Sequence, residues 1–109
     1  MTSVRVTISS FIDESFPGWV EFWLEDVDGR QWKFHEKVPV VSAEDLWTDS
    51  EYPRTCAIAC TVLQRKANAS RRYVARIDTG SPWGIESVER CTVFEVFAEQ
   101  LEEDRKSVV

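Results

Sequence analysis

Hydrophobic and polar residues alternate with a period of two along most of the chain. Val4, Val6 and Ile8 stand between polar residues, a pattern typical of a strand with one buried face. The alternation recurs further along the chain. Together these runs predict strands near 4–11, 19–27, 30–37, 55–65, 71–78 and 91–98.

Turn residues divide the predicted strands into two groups. Asp28-Gly29 lies between two alternating runs, and glycine accepts the positive φ angle that a tight hairpin turn requires. Pro17-Gly18 marks the turn before that hairpin. The polar loop 66–70 separates two strands of the second group. The sequence therefore predicts two three-stranded meanders.

The segments outside these strands are predicted to hold little helix. Pro39 restricts Lys37–Val41 to an extended segment at a sheet edge or a strand end. Ser42 can cap a short helical turn, which is predicted near 43–48. The charged residues 99–106 predict a short C-terminal helix or a frayed tail.

An all-β fold follows from these elements. A flat six-stranded sheet would leave one hydrophobic face open, and the sequence contains no long amphipathic helix to cover it. We therefore expect a small six-stranded barrel or a barrel-like sandwich. The chain has 109 residues, of which 43% are hydrophobic, and this size predicts one β-barrel domain over 1–109.

The alternation also predicts which side chains fill the barrel. Val20, Phe22 and Leu24 suit the interior, which places Trp19 and Trp23 on the outer face of the same strand. The strand near 55–65 is apolar on both faces, which predicts that both are buried. The last strand can be oriented in two ways, with either Phe94, Val96 and Ala98 or Val93 and Phe97 inward.

The chain is acidic overall, with a net charge of −6, but its charges are unevenly distributed. Residues 54–90 carry seven basic and three acidic side chains, whereas residues 1–53 carry four basic and eleven acidic ones. A nucleic-acid-binding domain is usually basic as a whole. We therefore expect the acidic segments to neutralise the basic one, and a local basic face for an acidic partner is the alternative.

Five basic residues around the second predicted hairpin carry that alternative. Tyr73 lies among them, and aromatic side chains beside a positive groove bind single-stranded nucleic acid by stacking. Tyr73 is predicted to face away from two of the arginines, which breaks the stacking platform. The candidate nucleic-acid-binding residues are Arg65, Lys66, Arg71, Arg72 and Arg76.

Tryptophan is the most distinctive component of the composition, with five in 109 residues. Each tryptophan brings a large apolar area and one polar N–H group, and exposed apolar patches usually mark a binding partner. The main hypothesis is a small non-enzymatic interaction module, such as an immunity-type protein, an adaptor or a homo-oligomer. Its candidate partner-binding residues are Trp19, Trp23, Trp47 and Trp83.

Few residues are available for catalysis or metal binding. The three cysteines are an odd number, which argues against a disulfide framework. Cys56 and Cys60 would lie about 13 Å apart along a strand, too far to hold one metal ion or each other, so we expect both to be buried and unbonded. His35 is the single histidine, and a hydrolase-like enzyme built around it is the third hypothesis. No catalytic residue, metal site or cofactor is predicted.

Neither a targeting signal nor a membrane helix is indicated. The N-terminal residues lack a basic region followed by an apolar block. No apolar run reaches the roughly 20 residues that a membrane helix requires. The sequence therefore predicts a cytoplasmic protein with reduced thiols and no membrane partner, of a kind common among small bacterial proteins.

Overall fold

Strands account for most of the regular structure. The computed structural model describes residues 2–42, 46–48 and 50–103, and its strands form an antiparallel, seven-stranded sheet. They are β1 (Thr2–Asp13), β2 (Trp19–Glu25), β3 (Gln31–Lys37), β4 (Arg54–Ala67), β5 (Tyr73–Asp78), β6 (Val93–Phe97) and β7 (Leu101–Glu103). The predicted all-β, barrel-like fold is confirmed.

Helical structure is confined to two short pieces in this part of the chain. They are α1 (Val38–Val41) and a 3-10 turn (Ala98–Gln100). None of the helices in the described residues is long and apolar enough to cross a membrane.

The two predicted meanders are confirmed, and β1 joins them. The strand order is β3-β2-β1-β4-β5-β6. β1 pairs with β2 along 7–13 and with β4 along 2–8. The N-terminal strand β1, which the alternation over 4–11 predicts, therefore lies at the centre of the sheet.

The sequence predicts no strand after residue 98, but β7 follows the 3-10 turn and pairs with Thr2–Val4 of β1. Because β4 already occupies one edge of that part of β1, β7 lies at the other edge. The path from β6 to β7 therefore returns the sheet to β1 and curls it. Of the segment 99–106, expected as a short helix or a frayed tail, residues 99–100 belong to the 3-10 turn, 101–103 form β7 instead, and 104–106 lie outside the described residues.

The core lies inside the curled sheet. Val20, Phe22 and Leu24 are completely buried, as predicted, and the ring of Phe22 stacks on that of Phe34 with 5.0 Å between centroids. The other members of the core are Val4, Val6, Ile8, Val38, Val41, Leu46, Ile58, Cys60, Ala75, Ile77, Ile85, Phe94 and Val96.

The strands at the two ends of the order, β3 and β6, meet across this core. The ring centroids of Trp32 and Phe34 in β3 lie 5.3 Å and 5.7 Å from that of Phe94 in β6. Phe94 and Val96 are buried whereas Val93 is exposed. Of the two orientations left open by the sequence, the one with Phe94 and Val96 inward is therefore correct.

The segment after β3 differs from its prediction. Val38–Val41 is helical rather than extended. Pro39 lies in the first turn of this helix, where its fixed φ angle fits and its missing N–H leaves no helical hydrogen bond unmade. The helical turn expected near 43–48 is absent from residues 46–48, and residues 43–45 lie outside the described part.

β4 is buried on one face only, which corrects the prediction of burial on both. Ile58 and Cys60 point into the core. On the opposite face Ala57 and Ala59 are half-buried, and Leu63 is 53% exposed. Alanine has so little apolar area that its exposure costs little, so an apolar pattern built on alanine is weak evidence for a covering layer.

Three loops share one hairpin geometry. They are Asp26–Arg30, Asn68–Arg72 and Ser87–Cys91. In each loop the N–H of the first residue donates to the carbonyl of the fifth, and the N–H of the fourth donates to the carbonyl of the first. The fourth residue has a positive φ angle, which is 80° at Gly29, 61° at Arg71 and 65° at Arg90. Each loop is thus a turn followed by one left-handed residue.

Candidate functional site

The four candidate tryptophans differ in exposure. Trp19 and Trp23 lie on the outer face of β2, as predicted, and both are half-buried. Trp47 and Trp83 lie in loops, with 56% and 64% of their surface exposed. The loop tryptophans therefore offer more apolar area to a partner than the strand tryptophans do.

Lysines of β3 flank the two strand tryptophans. Lys37 lies opposite Trp19 with its Nζ 5.7 Å from the ring centroid, and Lys33 lies opposite Trp23. Long basic side chains cover apolar surface with their methylene groups while their charge stays in water. These cross-strand neighbours help to explain why Trp19 and Trp23 are only partly accessible.

Three polar side chains form a row across β1, β2 and β3 between these tryptophans. The imidazole Nε2 of His35 lies 3.0 Å from a carboxylate oxygen of Glu21. The hydroxyl of Ser9 donates to the main-chain carbonyl of Glu21 at 3.1 Å and lies 3.5 Å from the other carboxylate oxygen. A serine nucleophile needs the histidine beside its hydroxyl. Here the carboxylate separates them, so the hydrolase-like hypothesis gains no activated nucleophile from this row.

An apolar groove of about 320 Å³ lies between α1 and the loop after β5, and Pro39, Val40 and Trp83 line it. α1 is anchored by Val38 and Val41, which are buried, so its two middle residues point outward. The sequence points to Trp83 but not to Pro39 and Val40 as candidate contact residues. The apolar run Val38 to Val41 is their one signal, and with Pro39 it predicts an extended segment rather than a helix.

A second, polar hollow has a volume of about 440 Å³. Trp19, His35, Glu86 and Arg90 are among its lining residues, and so is Gly84, the residue after Trp83. The groove and the hollow share no lining residue among those described, but the loop that carries Trp83 contributes to both. Of the two strand tryptophans, Trp19 lines the hollow, and neither is among the described residues that line the groove.

Hydrogen bonds hold the main chain at Trp47 in place. Its N–H donates to the Ser50 hydroxyl at 3.1 Å, and the Tyr52 hydroxyl donates to its carbonyl at 2.9 Å.

Trp32, the fifth tryptophan, has a structural role instead. Its indole N–H donates to Asp26 at 2.9 Å, and the half-buried ring packs on the core.

Three of the five basic candidates are paired with glutamates. Arg65 contacts Glu103 at 3.0 Å, and Lys66 contacts Glu95 at 3.6 Å. Arg72 pairs with Glu99. These glutamates belong to β6, the 3-10 turn and β7, so the acidic C-terminal segment neutralises much of the basic one, as the charge pattern predicts.

The remaining two candidates, Arg71 and Arg76, form no ion pair within the described residues. Tyr73 is 71% exposed. The guanidinium of Arg72, however, lies 3.5 Å from the centroid of the Phe97 ring, so it is already stacked within the molecule. A row of free cations and open aromatic faces of the kind that holds single-stranded nucleic acid is therefore not formed here.

None of the three cysteines forms a disulfide, and their environments differ. Cys60 is buried, and this burial raises the pKa of its thiol to about 11. Cys56 is only half-buried, so the expectation of full burial holds for Cys60 alone. No cluster of three or more histidine, cysteine or acidic side chains that could hold a metal ion occurs in residues 2–42, 46–48 and 50–103.

No known protein family, no curated protein and no solved structure matches this chain. The candidate surfaces therefore rest on geometry alone. The strongest of them, by apolar exposure and concave shape together, is the groove beside Trp83.

Proposed function

We propose that this protein is a non-enzymatic interaction module that binds a protein partner through the Trp83 surface, defined as Trp83, Pro39 and Val40. The observation that carries the proposal is a tryptophan with 64% of its surface exposed beside an apolar groove of about 320 Å³. Tryptophan anchors dominate the binding energy of many protein interfaces, because one side chain buries a large area.

The surface is also held in place before binding, which lowers the entropy cost of association. The buried ends of α1, Val38 and Val41, hold the helix on the core and thereby fix the positions of Pro39 and Val40 at the surface. On the other side of the groove, the Thr79 hydroxyl donates to the Ile85 carbonyl at 2.7 Å, and the Gly84 N–H donates to the Gly80 carbonyl at 2.8 Å. The Trp83 loop is therefore closed by its own hydrogen bonds.

Trp19 and Trp23 form the second part of the proposed contact region. Trp19 lines the polar hollow together with Gly84, the residue after Trp83, so a partner covering Trp83 and Gly84 would extend toward β2. Both side chains are partly covered already, and each would therefore contribute less binding energy than Trp83. Trp47 is exposed and has a fixed main chain, and it extends the region if the same partner reaches it.

The proposal is tested by capturing partners from the native cell and identifying them by mass spectrometry. We compare the wild type with Trp83→Ala and with Phe16→Ala, a matched aromatic control whose side chain is 97% exposed between β1 and β2. Light scattering on the same proteins measures whether the partner is a second copy of the chain.

We expect Trp83→Ala to weaken partner binding or self-association at least tenfold, and Phe16→Ala to leave it unchanged, because one aromatic anchor can contribute 2 kcal/mol or more, roughly thirtyfold. Equal capture by all three proteins would overturn the proposal. So would a monomeric wild type that enriches no protein at all.

A further inference from the structure

The second half of β4 has a free edge. β4 runs from Arg54 to Ala67, but its pairing with β1 ends at Cys60. From residue 61 onward it pairs with β5 on one side, and no strand among the described residues pairs with it on the other. We call this segment, Thr61–Ala67, the arm edge. Unpaired N–H and C=O groups in such a row are a template for an added strand.

The direction of the backbone groups can be derived from the hairpin loop. The Asn68 N–H donates to the Arg72 carbonyl across the loop. Antiparallel ladders alternate between hydrogen-bonded and non-hydrogen-bonded pairs, so Lys66 directs its N–H and C=O toward β5. Arg65 and Ala67 direct theirs to the free side. Both residues are exposed, so solvent or a partner can reach this edge.

Charge decides which strand can be added there. Arg65 and Lys66 are consecutive, so their side chains lie on opposite faces of the arm. Two arm edges from two copies would place four of these cations close together, which disfavours self-pairing. An incoming acidic strand would instead meet a basic residue on each face.

The present partners of these cations are easily exchanged. The side chains of Arg65 and Glu103 are 51% and 60% exposed, and those of Lys66 and Glu95 are 51% and 43% exposed. Exposed ion pairs contribute little to stability. A carboxylate from a partner can therefore replace or share these contacts at low cost.

We propose that the arm edge binds an extended acidic segment of a partner protein by strand addition, with two consecutive acidic residues opposite Arg65 and Lys66. Main-chain hydrogen bonds to Arg65 and Ala67 would supply affinity, and the two cations would supply specificity. This site shares no residue with the Trp83 surface, although the Thr61 hydroxyl at the start of the arm edge donates to the Ser81 carbonyl in the Trp83 loop at 3.2 Å.

The probe is a fluorescein-labelled eight-residue peptide with a central Glu-Glu pair between Thr and Val residues. Fluorescence anisotropy measures its affinity for the full chain. The control peptides carry Lys-Lys in place of Glu-Glu, or keep Glu-Glu with alternate backbone nitrogens methylated. We expect each control peptide to bind at least tenfold more weakly, the first through charge and the second through lost main-chain hydrogen bonds.

Variants of the protein separate the contribution of the main-chain hydrogen bonds from that of the two cations. Ala67→Pro removes an N–H that faces the free edge while leaving the bonds to β5 in place, and Ala67→Val is its matched control. We expect at least tenfold weaker binding for Ala67→Pro and for Arg65→Gln with Lys66→Gln, and unchanged binding for Ala67→Val and Trp83→Ala. Circular dichroism of each variant checks that it is folded. If Ala67→Pro is unfolded, the methylated peptide alone decides the main-chain contribution.

Each alternative outcome overturns the proposal. Equal binding of the methylated and unmethylated peptides would show attraction by charge without strand addition. Self-association abolished by Ala67→Pro would identify a second copy as the occupant. An oligonucleotide that displaces the peptide at lower concentration than unlabelled peptide does would identify nucleic acid as the preferred ligand. Peptide binding, self-association of Ala67→Pro and displacement by an oligonucleotide all report on the arm edge. They keep their meaning even if Trp83→Ala does not weaken partner capture.

Discussion

The hairpins β2–β3 and β4–β5 are closed by the same loop geometry but have opposite relations to the core. In β2–β3, Phe22 and Phe34 stack on each other and are completely buried. In β4–β5, every residue of β4 after Val62 is exposed, and Tyr73 is 71% exposed. Because the hydrogen bonds of the loop are local, the loop closes a hairpin equally well over the core and outside it.

The side-chain pattern of the strands makes the difference. In β2 buried residues alternate with more exposed ones to its end, because Val20, Phe22 and Leu24 share one apolar face. β4 becomes polar on both faces after Leu63, and a segment without an apolar face gains little free energy from burial. Its backbone and charges stay accessible instead. The comparison therefore separates a hairpin that is packed on the core to its end, β2–β3, from one whose loop half is accessible, although Ile58 of β4 and Ile77 of β5 also belong to the core.

The largest test of this division is Phe22→Ala. Truncating a buried phenylalanine removes its burial and leaves a cavity, so we expect a loss of about 3–5 kcal/mol in the free energy of unfolding. Leu63→Ala is the matched change in the other hairpin, and we expect less than about 0.5 kcal/mol there. Urea unfolding followed by circular dichroism measures both. Similar losses in the two hairpins would contradict the division.

The same patterns explain how much of the fold the sequence can predict. β2 and β3 begin and end within about two residues of their predicted bounds, because each alternates strictly and a glycine turn joins them. β7 has three residues, which is too short for a period to be recognised. It forms because β1 offers a free edge, a fact that no local pattern contains.

The candidate site is less predictable than the fold, because exposure depends on what packs nearby. Alternation places Trp23 on the outer face of β2, but its half-burial depends on neighbours from β3 that only the sheet register reveals. Because proline disfavours strand interiors, Pro39 predicts a sheet edge or a strand end. The first turn of a helix accepts proline equally well, and the structure has Pro39 there. The groove beside Trp83 follows from that helix and was therefore missed.

The first residues of the loops Asp26–Arg30 and Asn68–Arg72 provide a test in which an effect of intermediate size is expected. Asp26 accepts hydrogen bonds from the N–H groups of Asp28 and Arg30 and also from the indole of Trp32, at 2.9–3.0 Å. Asn68 accepts only the two equivalent backbone bonds, from Ser70 and Arg72. We expect Asp26→Ala to cost about 2 kcal/mol and Asn68→Ala about 1 kcal/mol.

Asp26→Asn is the control for that difference. The amide keeps one oxygen acceptor for the backbone but cannot accept from the indole with its nitrogen. We expect it to recover about 1 kcal/mol of the loss seen in Asp26→Ala. Thermal melting and urea unfolding measure each variant. Equal losses at Asp26 and Asn68 would show that the bond to Trp32 adds nothing to the first hairpin.

A smaller effect is expected at the fourth loop position, where Gly29 and Arg71 both have positive φ angles. A Cβ atom at Gly29 would meet no other atom within 4 Å, so Gly29→Ala tests backbone conformation alone. We expect it to cost about 1 kcal/mol, and we expect Arg71→Gly to be more stable than Arg71→Ala by about the same amount. Arg71→Gly and Arg71→Ala both remove the positive charge, so the difference in stability between them does not contain an effect of that charge. A preference for alanine at either position would break the structural equivalence of the loops.

The smallest expected effect is that of Arg71→Gln combined with Arg72→Gln. Arg71 forms no ion pair within the described residues, and the Arg72–Glu99 pair has side chains that are 50% and 68% exposed. Exposed ion pairs contribute about 0–1 kcal/mol, so we expect the double variant to lose less than about 1 kcal/mol. Urea unfolding at low and high salt measures the loss and its screening.

Arg30→Gln is the counterpart in the first hairpin, because Arg30 and Arg72 occupy the same loop position and each stacks on an aromatic ring. The Arg30 guanidinium lies 3.6 Å from the centroid of the half-buried Trp32 ring and pairs with Glu89. Tryptophan is the strongest cation–π partner, so we expect Arg30→Gln to cost at least as much as the double variant. A loss above about 2 kcal/mol for the double variant would show that Arg71 and Arg72 stabilise the fold and are not merely solvated loop cations.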